Sequence, residues 1–196
     1  VLLVSRAEGW AWSRAARGRG FPITWDTAPP YFALNEDESR DCRTCAKLSP
    51  PLRAESDRLA VCAALSDGTI DAIASDQTPW DADDKRLPFA QASAGGTGLA
   101  TLLGVTLERV HNGDVTLIQA LRLLTQSPAA LLGAPGGTLA VGSTADLCLF
   151  DPDASWVVEA GTLPGRAQNT PFDGRALRGK VLGTWKNGVR VFGETE

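Results

Sequence analysis

The sequence predicts an α/β fold followed by a β-rich C-terminal module. Short apolar segments alternate with helical segments through residues 1–134, which is the pattern of βαβ units around a parallel sheet. The pattern changes at Pro135, after which β-formers and turn residues predominate. Asn187-Gly188 in this later part is typical of a two-residue type I′ hairpin. We therefore expect two units, with the second occupying residues 135–196.

The first strand, helix and strand are predicted within the opening segment of the chain. Residues 1–5 are an apolar run that favours a buried strand, and residues 7–20 form a helical pattern with glycines near its end. Residues 21–27 are the next strand. Because residues two apart on a helix diverge by about 200°, Trp10 and Trp12 cannot both face the core.

The next strand, helix and strand are predicted after an irregular polar segment. Residues 45–53 have the composition of a short strand that Pro50-Pro51 would stop, since proline cannot donate to a ladder. Residues 54–68 have one apolar helical face and end on glycine. Residues 69–75 are the following strand.

Two further helices are predicted after a long loop, at residues 98–113 and 116–133. Within that loop, the glycine-rich residues 93–98 lack the lysine and the preceding strand of a phosphate-binding loop. We attribute these glycines to the conformational freedom of a loop.

Composition excludes some classes of partner. The 196 residues carry a formal charge of -4, with a pI near 5.1, and show no basic stripe. Nucleic acid and membrane are therefore not expected as partners, because nucleic acid and anionic membranes both require a basic face. We expect a cytoplasmic protein. The chain has no methionine and opens on Val1, so residue 1 need not be the start of the gene product.

The cysteines and the histidine give little support for a metal site. Cys42 and Cys45 form one CxxC pair, but a structural zinc site needs four ligands and no second pair follows. His111 has no partner histidine nearby and is better interpreted as a solvated or capping residue.

Motifs along the whole chain resemble the second half of a class I dihydroorotase of the amidohydrolase superfamily. They are KLSPPLRAESDR (47–58), GTIDAIASDQTPWDADDKRLPF (68–89), GTLAVGSTADLCLFDPDASWVV (137–158) and QNTPFDGRALRGKVLGTWKNGVRVF (168–192). The resemblance implies strands five to eight of a (β/α)8 barrel of the metal-dependent hydrolase type, plus part of a small β-sandwich. It also implies that strands one to four lie in an N-terminal half outside this chain, which is then an expected partner.

The resemblance implies a zinc site in active relatives, and this chain departs from it. Active relatives use one or two zinc ions to hydrolyse and re-form the cyclic amide of dihydroorotate. In this half they carry histidines on strands five and six. Here Leu3 stands at the first position, and Pro30 and Tyr31 stand at the second. Leucine and proline have no side-chain lone pair, and tyrosine, with a pKa near 10, is a rare zinc ligand.

The substrate positions implied by the resemblance also differ. The asparagine that helps to hold the substrate ring is replaced by Ser49. On strand eight the aspartate is kept as Asp76, but Gln77 and Trp80 replace two histidines, the second of which helps to bind the substrate carboxylate. Asp76 is therefore a vestigial catalytic candidate, and the Trp80 ring is expected to fill the pocket.

Three functional interpretations follow. The chain loses the metal ligands but keeps the scaffold motifs, and in this it resembles the catalytically inactive dihydroorotase-like chains that assemble with aspartate carbamoyltransferase. The favoured interpretation is therefore a non-catalytic dihydroorotase-like chain of pyrimidine biosynthesis that assembles with that enzyme and needs no cofactor. The alternative is an active zinc-dependent dihydroorotase or cyclic amidohydrolase, with metal ligands mainly from the N-terminal half and Asp76. A hydantoinase-like enzyme is less favoured, because such enzymes also need the histidines missing on strands five and six.

Overall fold

A computed structural model describes residues 3–193. Its α-helices are α1 (Ala7–Gly18), α2 (Pro29–Ala33), α3 (Glu55–Ser66), α4 (Ala82–Arg86), α5 (Leu102–His111), α6 (Leu117–Leu124) and α7 (Gln126–Leu132). Its strands are β1 (Asp26–Thr27), β2 (Ala72–Ile73), β3 (Leu147–Val157), β4 (Ala176–Lys186) and β5 (Val189–Phe192). Val1 and Leu2, part of the first predicted strand, lie outside the described residues.

A short parallel ladder organises the first part of the chain. Asp26 of β1 lies opposite Ala72 of β2, and Thr27 lies opposite Ile73. Leu3 forms an isolated parallel bridge with Asp26 on the other side of β1. The predicted α/β class with parallel strands is therefore confirmed.

The predicted strand at residues 45–53 was wrong. The structure has a 3-10 helix at Thr44–Ala46 followed by irregular backbone, and β1 pairs directly with β2. Two consecutive prolines leave this segment without the amide donors that a ladder needs. Its apolar residues still contribute to the core, since Leu48 and Leu52 are both buried.

The last predicted helix is two helices in the structure. The break between α6 and α7 falls at Thr125, whose φ of -129° and ψ of -76° are not helical. Pro128 has no amide hydrogen to donate to the carbonyl of Leu124, so a continuous helix would lack that bond. The other three predicted helices correspond to α1, α3 and α5.

The core lies between the helices and the parallel ladder. Trp10 and Phe32 are almost fully buried, together with Val61 of α3 and Val105 of α5. Trp12 is 76% exposed, so the two tryptophans of α1 diverge as the helical geometry predicts. Burial of these large apolar side chains is the main stabilising contribution of this part of the chain.

An antiparallel sheet, in the order β3-β4-β5, forms the C-terminal part. Asn187 and Gly188 have φ of 52° and 78°, so the predicted type I′ hairpin is confirmed. Arg175 binds Glu108 of α5 through two hydrogen bonds of 2.9 Å, which links this part to the helices. The division of the chain at residue 134 stays a prediction.

Among the described residues, no helix is both long and apolar enough to span a bilayer.

Candidate functional site

Asp76 follows β2 at the carboxyl end of the parallel ladder. Its φ of 51° lies in the left-handed region, which a residue other than glycine seldom adopts. The backbone therefore turns sharply at this position, and the next residue, Gln77, bridges to Gly96 in a different loop. The carboxyl end of a parallel ladder is where barrel enzymes place their reacting groups.

The hydroxyl of Tyr31, in α2, lies between the Asp76 carboxylate and the carbonyl of Pro50, which share its one proton. It donates to the carbonyl of Pro50 at 2.9 Å and lies 3.4 Å from Oδ2 of Asp76. Burial, and then the charge of Asp76, raise the pKa of Tyr31 above its ordinary value. The phenol is therefore kept neutral, so its oxygen is a donor rather than an anionic metal ligand.

Two carboxyl groups in this region, those of Asp76 and Asp26, interact electrostatically. Burial raises the pKa of Asp76; the hydrogen bond from Tyr31 opposes this in part, and the charge of Asp26 makes a smaller contribution that raises it. Burial also raises the pKa of Asp26, whose Oδ1 is buried without a hydrogen-bond partner among the described residues. Burial therefore disfavours the charged form of both carboxyl groups.

The remaining predicted positions are spread around Asp76. Leu3 is half-buried and pairs with Asp26, and Pro30 is buried in α2. Ser49 is exposed. Trp80 is 37% exposed, and its Nε1 donates to the carbonyl of Ala94 at 2.9 Å. That Trp80 fills the pocket stays a prediction.

Gln77 has a role that the sequence did not reveal. Its side-chain oxygen accepts hydrogen bonds from the amides of Gly98 and Leu99, at 2.7 and 2.9 Å. The residue at this position therefore fixes one loop against another. Amide side chains that satisfy backbone donors in this way stabilise loops rather than move protons.

Asn169 was also missed, although it lies within one of the motifs quoted above. It is 3% exposed, and its Nδ2 donates to the carbonyls of Thr78 and Gly95 at 3.1 and 3.2 Å. Its Oδ1 accepts from the amide of Trp80 at 3.1 Å. We call the hydrogen bonds that Gln77 and Asn169 make with loops 76–80 and 94–99 the loop clamp. The available signal in the sequence was the position of Asn169 within a quoted motif, although no partner could be assigned to it there.

The glycines of this region were wrongly attributed to loop freedom. A Cβ on Gly98 would lie 1.9 Å from the carbonyl oxygen of Ser75, and one on Gly95 would lie 2.4 Å from the side chain of Thr78. Gly95 also has a φ of 133°. These glycines are therefore required because the loops approach each other closely.

The residues at Asp76 do not fit a zinc ion. An open zinc site takes three protein ligands from imidazole, thiolate or carboxylate groups. Residues 3–193 contain no group of three histidine, cysteine, aspartate or glutamate residues placed to hold a metal. His111 lies elsewhere, with its Nε2 3.1 Å from the carbonyl oxygen of Pro152 in β3.

Comparison with protein families gives a match to the model described as "Amidohydrolase family" over residues 23–191. Among curated proteins, the chain is 39% identical over 192 residues to a dihydroorotase of Anaplasma phagocytophilum, covering 98% of this chain and 43% of that protein. It is 43% identical over 179 residues to a dihydroorotase of Pelobacter propionicus, covering 91% and 42%. The chain therefore spans less than half the length of these relatives.

Solved structures give a concordant result for the fold. An L-hydantoinase (dihydropyrimidinase) from Arthrobacter aurescens superposes with a TM-score of 0.93 and 29% identity, over 100% of this chain and 45% of that one. A dihydropyrimidinase from Brevibacillus agri superposes with a TM-score of 0.87 and 27% identity, over 97% and 44%. The predicted fold, the C-terminal part of a metal-dependent-hydrolase barrel, is confirmed.

Proposed function

This chain belongs to the amidohydrolase family, and from that premise we propose that it is part of a dihydroorotase-like protein of pyrimidine biosynthesis that does not catalyse the reaction. Similarity to curated dihydroorotases supports the dihydroorotase type. Similarity to hydantoinase structures supports the fold but concerns chains with lower sequence identity. Function within a shared fold has to be argued from the site.

The proposal rests mainly on the described side chains around Asp76, which do not supply the ligands of a metal site. Within residues 3–193, the one side chain that donates a hydrogen bond to Asp76 is the neutral Tyr31 hydroxyl at 3.4 Å. Leucine and proline occupy the positions at which the family resemblance implies imidazole ligands. A single carboxylate, even with Asp26 nearby, does not supply the three ligands of an open zinc site.

The loop clamp supports a structural rather than a chemical role for this region. Gln77 occupies a position implied to hold a histidine, and its side chain is used to fix Gly98 and Leu99. An amide side chain also has no titratable proton, so Gln77 cannot act as an acid or a base toward a substrate. We propose that the protein keeps its fold for contact with another protein and works in the cytoplasm without a cofactor.

The partner proposed for this contact is aspartate carbamoyltransferase. The proposal rests on the motif resemblance to inactive dihydroorotase-like chains that assemble with that enzyme. The N-terminal half of the same protein is a second proposed partner, since the chain covers 43% of a dihydroorotase that it resembles.

The alternative proposal is an active zinc-dependent dihydroorotase or cyclic amidohydrolase. The observation that favours it is the retained Asp76, held at a φ of 51° and within the electrostatic influence of a second carboxylate, Asp26. Strained backbone that persists at a strand end is often functional. Zinc would then be held mainly by the N-terminal half, with Asp76 completing the coordination.

Turnover of dihydroorotate by the full protein with added zinc separates the two proposals. We expect no hydrolysis above background, while an active dihydroorotase assayed in parallel shows normal turnover. The matched control is the Asp76→Asn variant, which should give the same background. Turnover that disappears in this variant would overturn the non-catalytic proposal.

Co-purification tests the proposed partner. Tagged full protein, expressed with aspartate carbamoyltransferase from the same organism, should form a stable complex on size-exclusion chromatography. Asp76→Asn should leave the complex intact, because the proposed contact does not use the site. Separate elution of the two proteins at micromolar concentrations would contradict this partnership.

A further inference from the structure

Cys42 lies in the turn between two 3-10 helices, Glu36–Ser39 and Thr44–Ala46, and Cys45 lies within the second of them. Cys42 is exposed, with a φ of 54°, and Cys45 is partly exposed. Both are free thiols in the structure. They differ in this from Cys62, which is buried and donates to the carbonyl of Phe32.

We propose that Cys42 and Cys45 are a redox modification site, at which a reversible disulfide forms by exchange with a low-molecular-weight disulfide such as glutathione disulfide. One cysteine thiolate attacks the small disulfide, forms a mixed disulfide and releases one thiol. The second cysteine then attacks the mixed disulfide and releases the other thiol. Two protein thiols are oxidised, and one small disulfide is reduced to two thiols. Two cysteines separated by two residues are a recognised redox spacing, and here the pair lies in the segment between α2 and α3.

A buried lysine connects the turn that carries the two cysteines to the loop that contains Ser93. Lys85 of α4 is 8% exposed, and its Nζ donates to the carbonyls of Thr44 and Ser93 at 3.0 and 2.7 Å. The hydroxyl of Thr44 donates in return to the carbonyl of Lys85 at 2.5 Å. Thr44 lies between the two cysteines, so a disulfide would restrict the residue to which Lys85 is bound.

A second connection runs through Lys47. Its Nζ donates to the carbonyls of Phe89 and Ala90 at 2.7 and 3.0 Å, and its own carbonyl accepts from the amide of Gly95 at 2.8 Å. Gly95 belongs to the loop clamp. We therefore infer that oxidation slows local opening of residues 85–98, because the turn that anchors them at both ends becomes stiffer. This inference does not depend on the proposed function.

A zinc ion is the competing occupant of such a pair. It would need further ligands, and the described residues place no third histidine, cysteine, aspartate or glutamate with these two. Restriction of the turn by a covalent bond needs only the two thiols. Zinc bound by the two cysteines is therefore one of the outcomes that the experiment below distinguishes.

Mass spectrometry of the full protein, before and after treatment with glutathione disulfide, tests the proposal. The peptide containing both cysteines should lose two hydrogen atoms in mass and regain them with dithiothreitol. Cys42→Ser and Cys45→Ser should each abolish this loss, whereas Cys148→Ser, at an exposed cysteine of β3, should retain it. Hydrogen exchange of residues 85–98 should slow on oxidation of the wild type and of Cys148→Ser only.

Three outcomes would overturn the proposal. The first is that both thiols stay free, and the second is that they carry only glutathione adducts under conditions that oxidise a thioredoxin-type CxxC control. The third is that stoichiometric zinc, lost in Cys42→Ser, occupies the pair. A disulfide that forms without any change of exchange in residues 85–98 would overturn the coupling to the loop.

Discussion

Asp76 and Asn169 lie in adjoining parts of the same edge of the molecule, yet their polar groups are satisfied very differently. Asp76 is half-buried, has the Tyr31 hydroxyl at 3.4 Å as its donor, and has a raised pKa because of burial. Asn169 is 3% exposed and makes three hydrogen bonds of 3.1 to 3.2 Å with the backbone of two loops. Both polar atoms of the Asn169 side chain make hydrogen bonds, whereas among residues 3–193 the side chain that donates to the Asp76 carboxylate is a tyrosine at 3.4 Å.

The difference indicates which groups this sequence retains. A buried polar group without a partner costs free energy, so it persists where something else compensates for it or where it is tolerated. The groups that hold loops together are complete within this chain. The part of the chain that the structure describes does not supply a full set of metal ligands, which is why the proposed function is structural.

Of the variants that test this comparison, Asn169→Ala should have the largest effect on the free energy of unfolding. It leaves the carbonyls of Thr78 and Gly95 and the amide of Trp80 without partners, so we expect the free energy of unfolding to fall by about 3 kcal/mol. Urea denaturation of the full protein measures it. Gln91→Ala, at an exposed loop residue, is the control and should change little. A loss in the first variant no larger than in the control would show that the clamp is not stabilising.

Gly98→Ala should come next. The new Cβ would lie 1.9 Å from the carbonyl oxygen of Ser75, so the two loops must separate, at a cost of about 2 kcal/mol. Gly18→Ala is the matched control, because a Cβ there meets no atom within 4 Å and the residue lies in α1. That control should be neutral or more stable by up to about 1 kcal/mol. Equal melting temperatures for the two variants would argue against close packing of the loops.

Tyr31→Phe should have a smaller effect. It removes a hydroxyl that donates at 2.9 Å to the carbonyl of Pro50, and we expect a loss of about 1 kcal/mol in thermal or urea unfolding. Binding of zinc to the full protein should not change, because this phenol stays neutral. Weaker zinc binding in this variant would indicate that the tyrosine is a ligand after all.

Asp76→Asn should have the smallest effect on stability, and the direction of that effect is informative. Burial raises the pKa of Asp76 above its ordinary value of 3.8, so the folded chain binds more protons than the unfolded chain between the two pKa values. The contribution of this residue to stability is therefore lost as the pH rises through that window. The asparagine variant should be slightly more stable than the wild type at neutral pH, with no such gain below the ordinary pKa. A variant that is less stable at neutral pH would indicate that a cation compensates for the carboxylate.

Much of the fold could be predicted because local patterns determine it. The Asn187-Gly188 turn depends on backbone conformations that these two residues tolerate, and α1 and α3 depend on helical periodicity with glycine ends. The prediction of a strand at residues 45–53 failed because it was based on composition. Strand pairing depends on amide donors, which Pro50 and Pro51 lack.

The loop clamp was beyond prediction for a different reason. Asn169 bonds to residues 74 to 91 positions earlier in the chain, and such distant contacts leave no periodic signal. The close approach of Gly98 to Ser75 also appears only in three dimensions, where the same glycine that suggests freedom is required for contact. The site positions, by contrast, could be named from the motif resemblance, although what they do stays a proposal.

Equilibrium binding of zinc to the full protein and to Asp76→Asn, measured by metal analysis after dialysis, tests the central claim most directly. The account predicts that the two proteins hold the same amount of zinc, because the side chains around Asp76 do not form a zinc site. Stoichiometric zinc in the wild type that is lost in Asp76→Asn would contradict it.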